Sequence, residues 1–187
     1  MRNILFFIFI INTVFAGSSL QGIIGNWVVN DYAKVRLISS HATINEETNL
    51  TLGLYFKLEP GWKIYWFNRG DSGMPPKLSL ENIRGIDDFK YIWPYPEISN
   101  DGPDIVTRVY KGEVVIPIEI NLSNPLETIY INRDLEYQIC KEICIPIKTK
   151  LNINIPVGKN SLSENIHIIN KYKSKVPKDI DLINIKN

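Results

Sequence analysis

The sequence has few of the side chains that acid–base and metal chemistry require. Its 187 residues include only two histidines, His41 and His167, and their positions do not match the spacing of a metal site. No Gly-rich phosphate loop, Ser-His-Asp arrangement or pair of catalytic carboxylates stands out. General acid–base enzymology therefore has little support, and we expect the protein to hold neither a metal nor a cofactor.

The sequence also lacks an excess of charge of either sign. Lys and Arg together number 21 and Asp and Glu number 20, so the net charge is +1, and the two signs are interspersed. Proteins that bind nucleic acid or anionic lipid present a clear excess of basic side chains. We therefore expect no nucleic-acid partner.

Long hydrophobic runs are absent after the N-terminus. Arg2 precedes an apolar run, Ile4–Ile11, and the small residue Ala16 fits a cleavage site. We therefore predict a signal peptide over residues 1–16, a mature chain that begins near Gly17, and no membrane span after cleavage. An uncleaved membrane anchor is the alternative, although the run is shorter than the roughly 20 residues that a spanning helix needs.

Cysteine is scarce as well, since the only two, Cys140 and Cys144, are separated by three residues. That spacing allows the Cα atoms to approach within the roughly 4.4 to 6.8 Å that a disulfide needs. A bridge that closes so short a loop adds modest stability, which hints at a redox role. Three interpretations stay open: a redox-active pair, an inert structural bridge, or a pair of metal ligands.

Short apolar runs indicate an all-β fold. Between Trp27 and Leu151, β-branched and aromatic stretches are separated by Gly, Pro, Asn and Asp, and helical periodicity is nearly absent. Several stretches alternate apolar and polar residues, as a sheet with one solvated face requires. We therefore predict an antiparallel β-sandwich. The predicted strands are Val35–Ser39, Leu50–Leu58, Lys63–Phe67, Phe89–Trp93, Val114–Ile120, Thr128–Asn132, Leu135–Ile139 and Lys148–Ile155.

Two segments interrupt the strand pattern. Residues 68–77 and 94–107 are rich in Gly, Pro, Asn and Asp, so we predict an ordered loop or strand-edge excursion for the first and a long loop for the second. Asp71, in the first segment, is expected to make local turn hydrogen bonds. Neither segment carries a pattern that predicts a ligand site.

Beyond the predicted strands the composition changes. Ser161–Tyr172 fits a short helix, capped by its first residue or by Ser163. We therefore divide the mature chain into a β-sandwich domain over residues 17–157 and a C-terminal tail over residues 158–187.

Four aromatic residues invite interpretation as a ligand cage. Aromatic side chains on strands are far more often core residues or cross-strand pairs, so we assign these four to the core. They are Trp62, Tyr65, Trp66 and Trp93.

Five patches along the chain, taken together, resemble a known family. The patches are Gly61–Trp66, Gly70–Pro76, Trp93–Pro96, Tyr110–Pro117 and Cys140–Pro146. In this order they resemble the N-terminal periplasmic domain of the disulfide reductase DsbD, in the variant found in DsbD-like and ScsB-like proteins. The resemblance extends from about Trp27 to Ile155.

The resemblance implies both a fold and an activity. It implies an immunoglobulin-like antiparallel β-sandwich in the periplasm, with Cys140 and Cys144 as the catalytic residues of thiol-disulfide exchange. A thioredoxin-like domain or protein, drawing on a DsbD-type membrane electron carrier, would reduce the pair. The pair would in turn reduce periplasmic client proteins, which makes the chain a component of a protein-disulfide reductase. The alternative function is a non-catalytic periplasmic binding module with a structural disulfide, linked to copper tolerance.

The resemblance also implies a cap over the disulfide. By order along the chain the cap corresponds to Ser99–Val106, with Ile105 or the upstream Tyr95 as the side chain that covers the sulfurs. The DsbD domain separates its two cysteines by more residues than this sequence does, so details of its active-site turn do not transfer.

Overall fold

The computed structural model describes residues 24–123 and 127–177, so the predicted signal peptide over residues 1–16 and the segment 178–187 lie outside the described residues. The described elements are β1 (Val28–Val29), β2 (Ala33–Ser39), β3 (Leu50–Leu58), β4 (Lys63–Gly70), β5 (Lys77–Leu78), β6 (Ile86–Tyr91), β7 (Glu97–Gly102), β8 (Ile105–Lys111), β9 (Glu113–Leu122), β10 (Ile129–Cys140), β11 (Cys144–Ile155) and α1 (Ile166–Lys173).

The strands form two antiparallel sheets that pack face to face. The first sheet has the order β1-β2-β3-β9-β6, and the second has the order β11-β10-β4-β8-β7, with β5 paired to β10. The rings of Phe56 on β3 and Tyr137 on β10 meet edge to face at 5.2 Å between the sheets. The predicted immunoglobulin-like β-sandwich with a short C-terminal helix is confirmed.

The central strand β3 shows why these residues form a sandwich core. It pairs with β2 on one side and β9 on the other, and nearly all of its residues are buried. A Cβ atom on Gly53 would lie 2.7 Å from Cγ1 of Val115 and 2.8 Å from Cγ1 of Ile38. Glycine at this position therefore allows the two neighbouring strands to bring their branched side chains together over β3.

The predicted loop over residues 94–107 is wrong, because most of it forms the β7–β8 hairpin. Ser99 pairs with Thr107, and Asp104 in the turn adopts a φ of 59°. Nearly all residues of β7, and the first residues of β8, are exposed on both faces, so the apolar alternation that identifies a strand is missing there. The pairing is instead stabilised by main-chain and side-chain hydrogen bonds.

The strands predicted over 128–132 and 135–139 are one continuous strand, β10. Polar residues at the centre of β10 do not interrupt the strand, because side chains of β11 form ion pairs with them. Lys150 Nζ donates to Asp134 at 2.8 Å, and Lys148 Nζ donates to Glu136 at 2.6 Å. These cross-strand ion pairs satisfy charged side chains on the solvated face of the hairpin.

The C-terminal helix packs on the first sheet. The Tyr172 hydroxyl donates to the main-chain oxygen of Glu113 at 2.7 Å, and Lys173 pairs with Glu119 at 2.8 Å. The N-cap residue is Asn165, and Ser163 donates instead to the main-chain oxygen of Ser39. The helix therefore begins later than the sequence predicts, because Ser163 ties the preceding segment to β2. Within the described residues, no helix is long and apolar enough to cross a membrane.

Candidate functional site

Cys140 and Cys144 are joined by a disulfide at the closed end of the β10–β11 hairpin. Their sulfurs are 2.06 Å apart, and their Cα atoms are 4.1 Å apart, just below the usual range. The two residues form the last pair of the hairpin register. The main-chain nitrogen of Lys141 donates to the oxygen of Ile143 at 3.0 Å, which closes the three-residue turn. The predicted pairing of the two cysteines is therefore present in the structure.

The two sulfur-bearing residues have different exposures. Cys140 is only 1% exposed, whereas Cys144 is exposed. Cys140 lies on β10, which has neighbours on both sides, and Cys144 begins β11 at the edge of the sheet. Cys144 therefore faces solvent, whereas Cys140 lies beneath packed side chains.

Cys140 lies on the face of the second sheet that points away from the main core. It packs with Tyr65 and Val109 in a small cluster of its own. Their chain neighbours Ile64 and Ile139 belong to the main core, and successive side chains on a strand point to opposite faces. The disulfide therefore lies outside the space between the two sheets.

Tyr65 is the aromatic residue that contacts the disulfide. Its side chain is buried, and its hydroxyl oxygen lies 3.7 Å from Sγ of Cys144. The sequence predicts Tyr65 as an ordinary core aromatic, and its neighbour Trp66 is one. Strand alternation separates the two rings, and the pairing of Lys63 on β4 with Cys140 on β10 brings the outer ring to the disulfide. That pairing joins residues distant in sequence, so no local signal indicates it.

A polar cluster lies beside Tyr65 on the same face of the sheet. Lys63, the register partner of Cys140, forms an ion pair with Asp101 on the β7–β8 hairpin. Asp101 also accepts hydrogen bonds from Ser99 at 2.7 Å and from Thr107 at 2.6 Å. Burial alone would raise the pKa of Asp101, but the hydrogen bonds from Lys63, Thr107 and Ser99 hold it below its usual value. Asp101 is therefore ionised at neutral pH.

The segment predicted as a cap, residues 99–106, forms the end of the β7–β8 hairpin. Its main chain is tied to the loop after β4: the Asp71 carboxylate accepts from the nitrogen of Val106 at 2.8 Å, and the nitrogen of Asp71 donates to the oxygen of Val106 at 3.1 Å. Asp71 thus makes long-range contacts rather than only the local ones expected. Ile105 and Tyr95 are both exposed, and the cap role of this segment stays a prediction.

The turn between the two cysteines presents a mixed surface. Lys141, Glu142 and Ile143 are all exposed, and Ile143 is 66% exposed. A Cβ atom on Gly61 would lie 3.0 Å from Cε of Lys141, so the lysine side chain extends over that glycine. Among residues 24–123 and 127–177, no three His, Cys, Asp or Glu side chains are grouped so that they could hold a metal ion.

Comparison with known proteins identifies the relatives of this chain. Residues 34–156 match the family model described as the N-terminal part of the thiol:disulfide interchange protein DsbD. The structure is similar to the N-terminal periplasmic domain of ScsB from Proteus mirabilis, with a TM-score of 0.67 and 27% sequence identity. That alignment covers 83% of this chain and 60% of the ScsB chain.

A second solved structure is more distant. The Neisseria meningitidis DsbD N-terminal domain in the reduced form aligns with a TM-score of 0.36 and 14% identity, over 75% of this chain and 91% of that chain. This likeness is too weak to support an inference. No curated protein matches the chain.

Proposed function

The chain belongs to the family of the N-terminal part of the thiol:disulfide interchange protein DsbD, and from this membership we propose that it relays electrons through Cys140 and Cys144. A thioredoxin-like domain or protein, supplied by a DsbD-type membrane electron carrier, reduces the pair. The reduced pair then reduces the disulfides of client proteins. The observation that carries this proposal is the exposure of Cys144 beside a buried Cys140.

In the first half of the cycle the disulfide is reduced. A thiolate of the reductant attacks Sγ of Cys144, because thiol-disulfide exchange requires access to the sulfur that is attacked. A new bond forms between the two proteins, the Cys140–Cys144 bond breaks, and its electron pair leaves on Cys140, which takes up a proton. The second thiolate of the reductant then attacks the reductant sulfur that is bonded to Cys144 in the mixed disulfide. Cys144 is released as a thiolate, and the reductant is oxidised by two electrons.

In the second half of the cycle those electrons pass to a client. The Cys144 thiolate attacks a client disulfide, and one client sulfur leaves as a thiolate. The Cys140 thiol loses its proton and attacks Sγ of Cys144, which restores the Cys140–Cys144 bond and releases the second client thiolate. The client gains two electrons, and the relay returns to its oxidised form.

The alternative, a static bridge in a binding module, gains little from the position of these cysteines. The bridge closes a loop of only a few residues, for which chain-entropy estimates give about 2 kcal/mol, the low end of the usual range. The β10–β11 ladder already holds the two strands together over twelve residue pairs. Exchange chemistry, by contrast, uses a disulfide at the exposed end of a hairpin.

We also propose a periplasmic location for the protein. The similar ScsB domain is described as periplasmic, and the N-terminal residues 1–16 carry the pattern of a signal peptide. The proposed sandwich domain, residues 17–157, contains the whole of the family match at residues 34–156. An oxidising compartment is where a disulfide relay is needed.

Trapping tests the relay at the level of the sulfur. Oxidised full-length protein is incubated with a thioredoxin whose resolving cysteine is replaced by serine, and the products are separated without reductant and mapped by mass spectrometry. We expect a reductant-sensitive adduct linked through Cys144. Cys144→Ser is the control that cannot form this linkage. A linkage through Cys140 contradicts the attack on Cys144. The absence of any adduct with the wild-type protein contradicts the relay and favours the static bridge.

A further inference from the structure

The side chain of Tyr65 lies on the outer face of the second sheet, beneath the loop that joins β4 to β5. β4 and β10 pair where Lys63 meets Cys140, and β5 takes over the pairing with β10 further along. The loop over residues 71–76 connects β4 to β5 and covers the Tyr65 ring. A Cβ atom on Gly73 would lie 2.3 Å from three carbon atoms of that ring, so the loop main chain packs directly against it. The ring is therefore held in one position, and Tyr65 is 1% exposed.

This packing directs the Tyr65 hydroxyl toward the exposed cysteine. The hydroxyl oxygen lies 3.7 Å from Sγ of Cys144, and the side chain of Ser72 hydrogen-bonds to the same hydroxyl. The carboxylate of Asp101 is close enough for its charge to act on the hydroxyl. The hydroxyl thus contacts Cys144 from within the protein, and Cys144 is also exposed to solvent.

The surroundings of the hydroxyl keep its proton in place. Burial raises the pKa of Tyr65, the negative charge of Asp101 raises it further, and the hydrogen bond with Ser72 acts in the opposite direction with a smaller effect. A tyrosine with a pKa above its ordinary value stays protonated over the range in which a cysteine thiol ionises. Tyr65 can therefore donate a hydrogen bond to Cys144 in both redox states.

A donor at this position matters most when Cys144 is a thiolate. The thiolate is the nucleophile in exchange, and the fraction of cysteine present as thiolate depends on the thiol pKa. A hydrogen bond to an ionised acceptor is stronger than one to a neutral acceptor. An O–H group aimed at Sγ of Cys144 therefore favours the reduced, charged form over the neutral thiol.

We propose that Tyr65 is a further catalytic residue of the exchange, which donates its O–H to Sγ of Cys144 whenever that sulfur carries negative charge. This inference rests on the proposed function. The contact acts at two points of the cycle. It stabilises Cys144 as it leaves the mixed disulfide with the electron pair of the broken S–S bond, and it holds the same thiolate ready to attack a client disulfide. The tyrosine keeps its proton throughout, so it adds no electron or proton to the balance.

The test is the pH dependence of Cys144 alkylation in the full-length protein after reduction. Tyr65→Phe removes the hydroxyl and keeps the ring that packs against Gly73. The rate of iodoacetamide addition at Cys144 is followed by mass spectrometry between pH 5 and pH 10. We expect the midpoint of the profile to move upward by roughly one to two pH units, the size of one lost hydrogen bond to a charged acceptor. At pH values below both midpoints the alkylation rate then falls by roughly tenfold or more.

Tyr110→Phe is the matched control. Tyr110 is also buried, donates to a single acceptor, the oxygen of Pro94 at 2.7 Å, and lies on the neighbouring strand β8 next to Val109. Its side chain belongs to the main core on the other face of the sheet. We expect the alkylation profile of Cys144 in Tyr110→Phe to match that of the wild type. A Tyr65→Phe profile that also matches the wild type overturns the proposal.

The two proposals fail in different ways. Alkylation reports on the thiol of this chain alone and needs no partner protein. If Tyr65→Phe leaves the profile unchanged while the wild type still forms its thioredoxin adduct, only the role of Tyr65 is wrong. If Tyr65→Phe shifts the profile while the wild type forms no adduct, the relay is wrong, and Tyr65 tunes a thiol that does not serve exchange. In that outcome Tyr65 is not a catalytic residue, and the inference falls with the relay.

Discussion

Cys140 and Cys144 face each other across the last pair of the β10–β11 hairpin, yet Cys140 is 1% exposed and Cys144 is open to solvent. This asymmetry comes from the position of the two strands. β10 lies inside the sheet beneath Tyr65 and Val109, whereas β11 is the edge strand. Thiol-disulfide exchange needs one sulfur that an attacking thiolate can reach.

The asymmetry predicts different reactivities for the two isolated thiols. In Cys140→Ser the remaining thiol is exposed, and in Cys144→Ser it is buried. We expect iodoacetamide to modify Cys144 at least roughly tenfold faster than Cys140 in the folded proteins at pH 8, since thiol reactivity follows exposure and thiolate fraction. In denaturant the two rates should converge. Equal rates in the folded proteins would show that both sulfurs are accessible.

A pair of glycine substitutions tests the packing of Tyr65. Gly73 and Gly112 both have positive φ, 97° and 62°, so alanine pays a backbone cost of roughly 1 to 2 kcal/mol at either position. A Cβ atom at Gly73 would collide with the Tyr65 ring, whereas nothing lies within 4 Å of a Cβ atom at Gly112. We therefore expect Gly73→Ala to lose more free energy of unfolding than Gly112→Ala.

Urea denaturation measures both losses, and the alkylation rate of Cys144 provides a second readout. Gly73→Ala should slow Cys144 alkylation at neutral pH because the Tyr65 hydroxyl is displaced, whereas Gly112→Ala should leave the rate unchanged. Equal losses of stability would mean that the loop over residues 71–76 does not clamp the ring.

The ion pair between Lys63 and Asp101 predicts a pH-dependent stability. The pKa of Asp101 is lowered in the folded state, so its contribution is present above the unfolded pKa, about 3.9, and is lost as the pH falls through the lower folded value. Asp101→Asn should therefore lower the Tm at pH 7. A loss of about 1 kcal/mol corresponds to roughly 2 to 4 °C in a domain of this size.

The difference in Tm between wild type and Asp101→Asn should shrink toward pH 3. Asp104→Asn is the control, because Asp104 is an exposed carboxylate in the turn of the same hairpin. Its Tm should follow that of the wild type across the range. A gap for Asp101→Asn that stays constant down to pH 3 would show that its charge does not stabilise the fold.

Strands that bury one or both faces could be predicted from the sequence. β3 has the predicted bounds, Leu50–Leu58, because apolar residues recur at every second position and the run ends at a turn. The β7–β8 hairpin could not be predicted, since its exposed residues leave no periodic pattern and its stability depends on Asp71 and Asp101. Asp71 lies 35 residues before its partner Val106, and a sequence pattern reports only on neighbouring residues.

The candidate site, too, could be predicted from the sequence only in part. The spacing of Cys140 and Cys144 predicts that they can pair, because it is a property of a short turn. The burial of one and not the other depends on the β4–β10 pairing and on the loop that covers Tyr65. These are relations between strands that are far apart in the chain, so the sequence indicated neither the accessible sulfur nor the hydroxyl beside it.

The reduction potential of the Cys140–Cys144 couple tests the proposed relay most directly. The oxidised and reduced forms of the full-length protein can be separated after equilibration with glutathione or dithiothreitol buffers of known potential. We predict a value in the range of thioredoxin-like couples, roughly −270 to −120 mV, where electrons can be both accepted and passed on. A value below about −300 mV is typical of a structural disulfide and would contradict the relay.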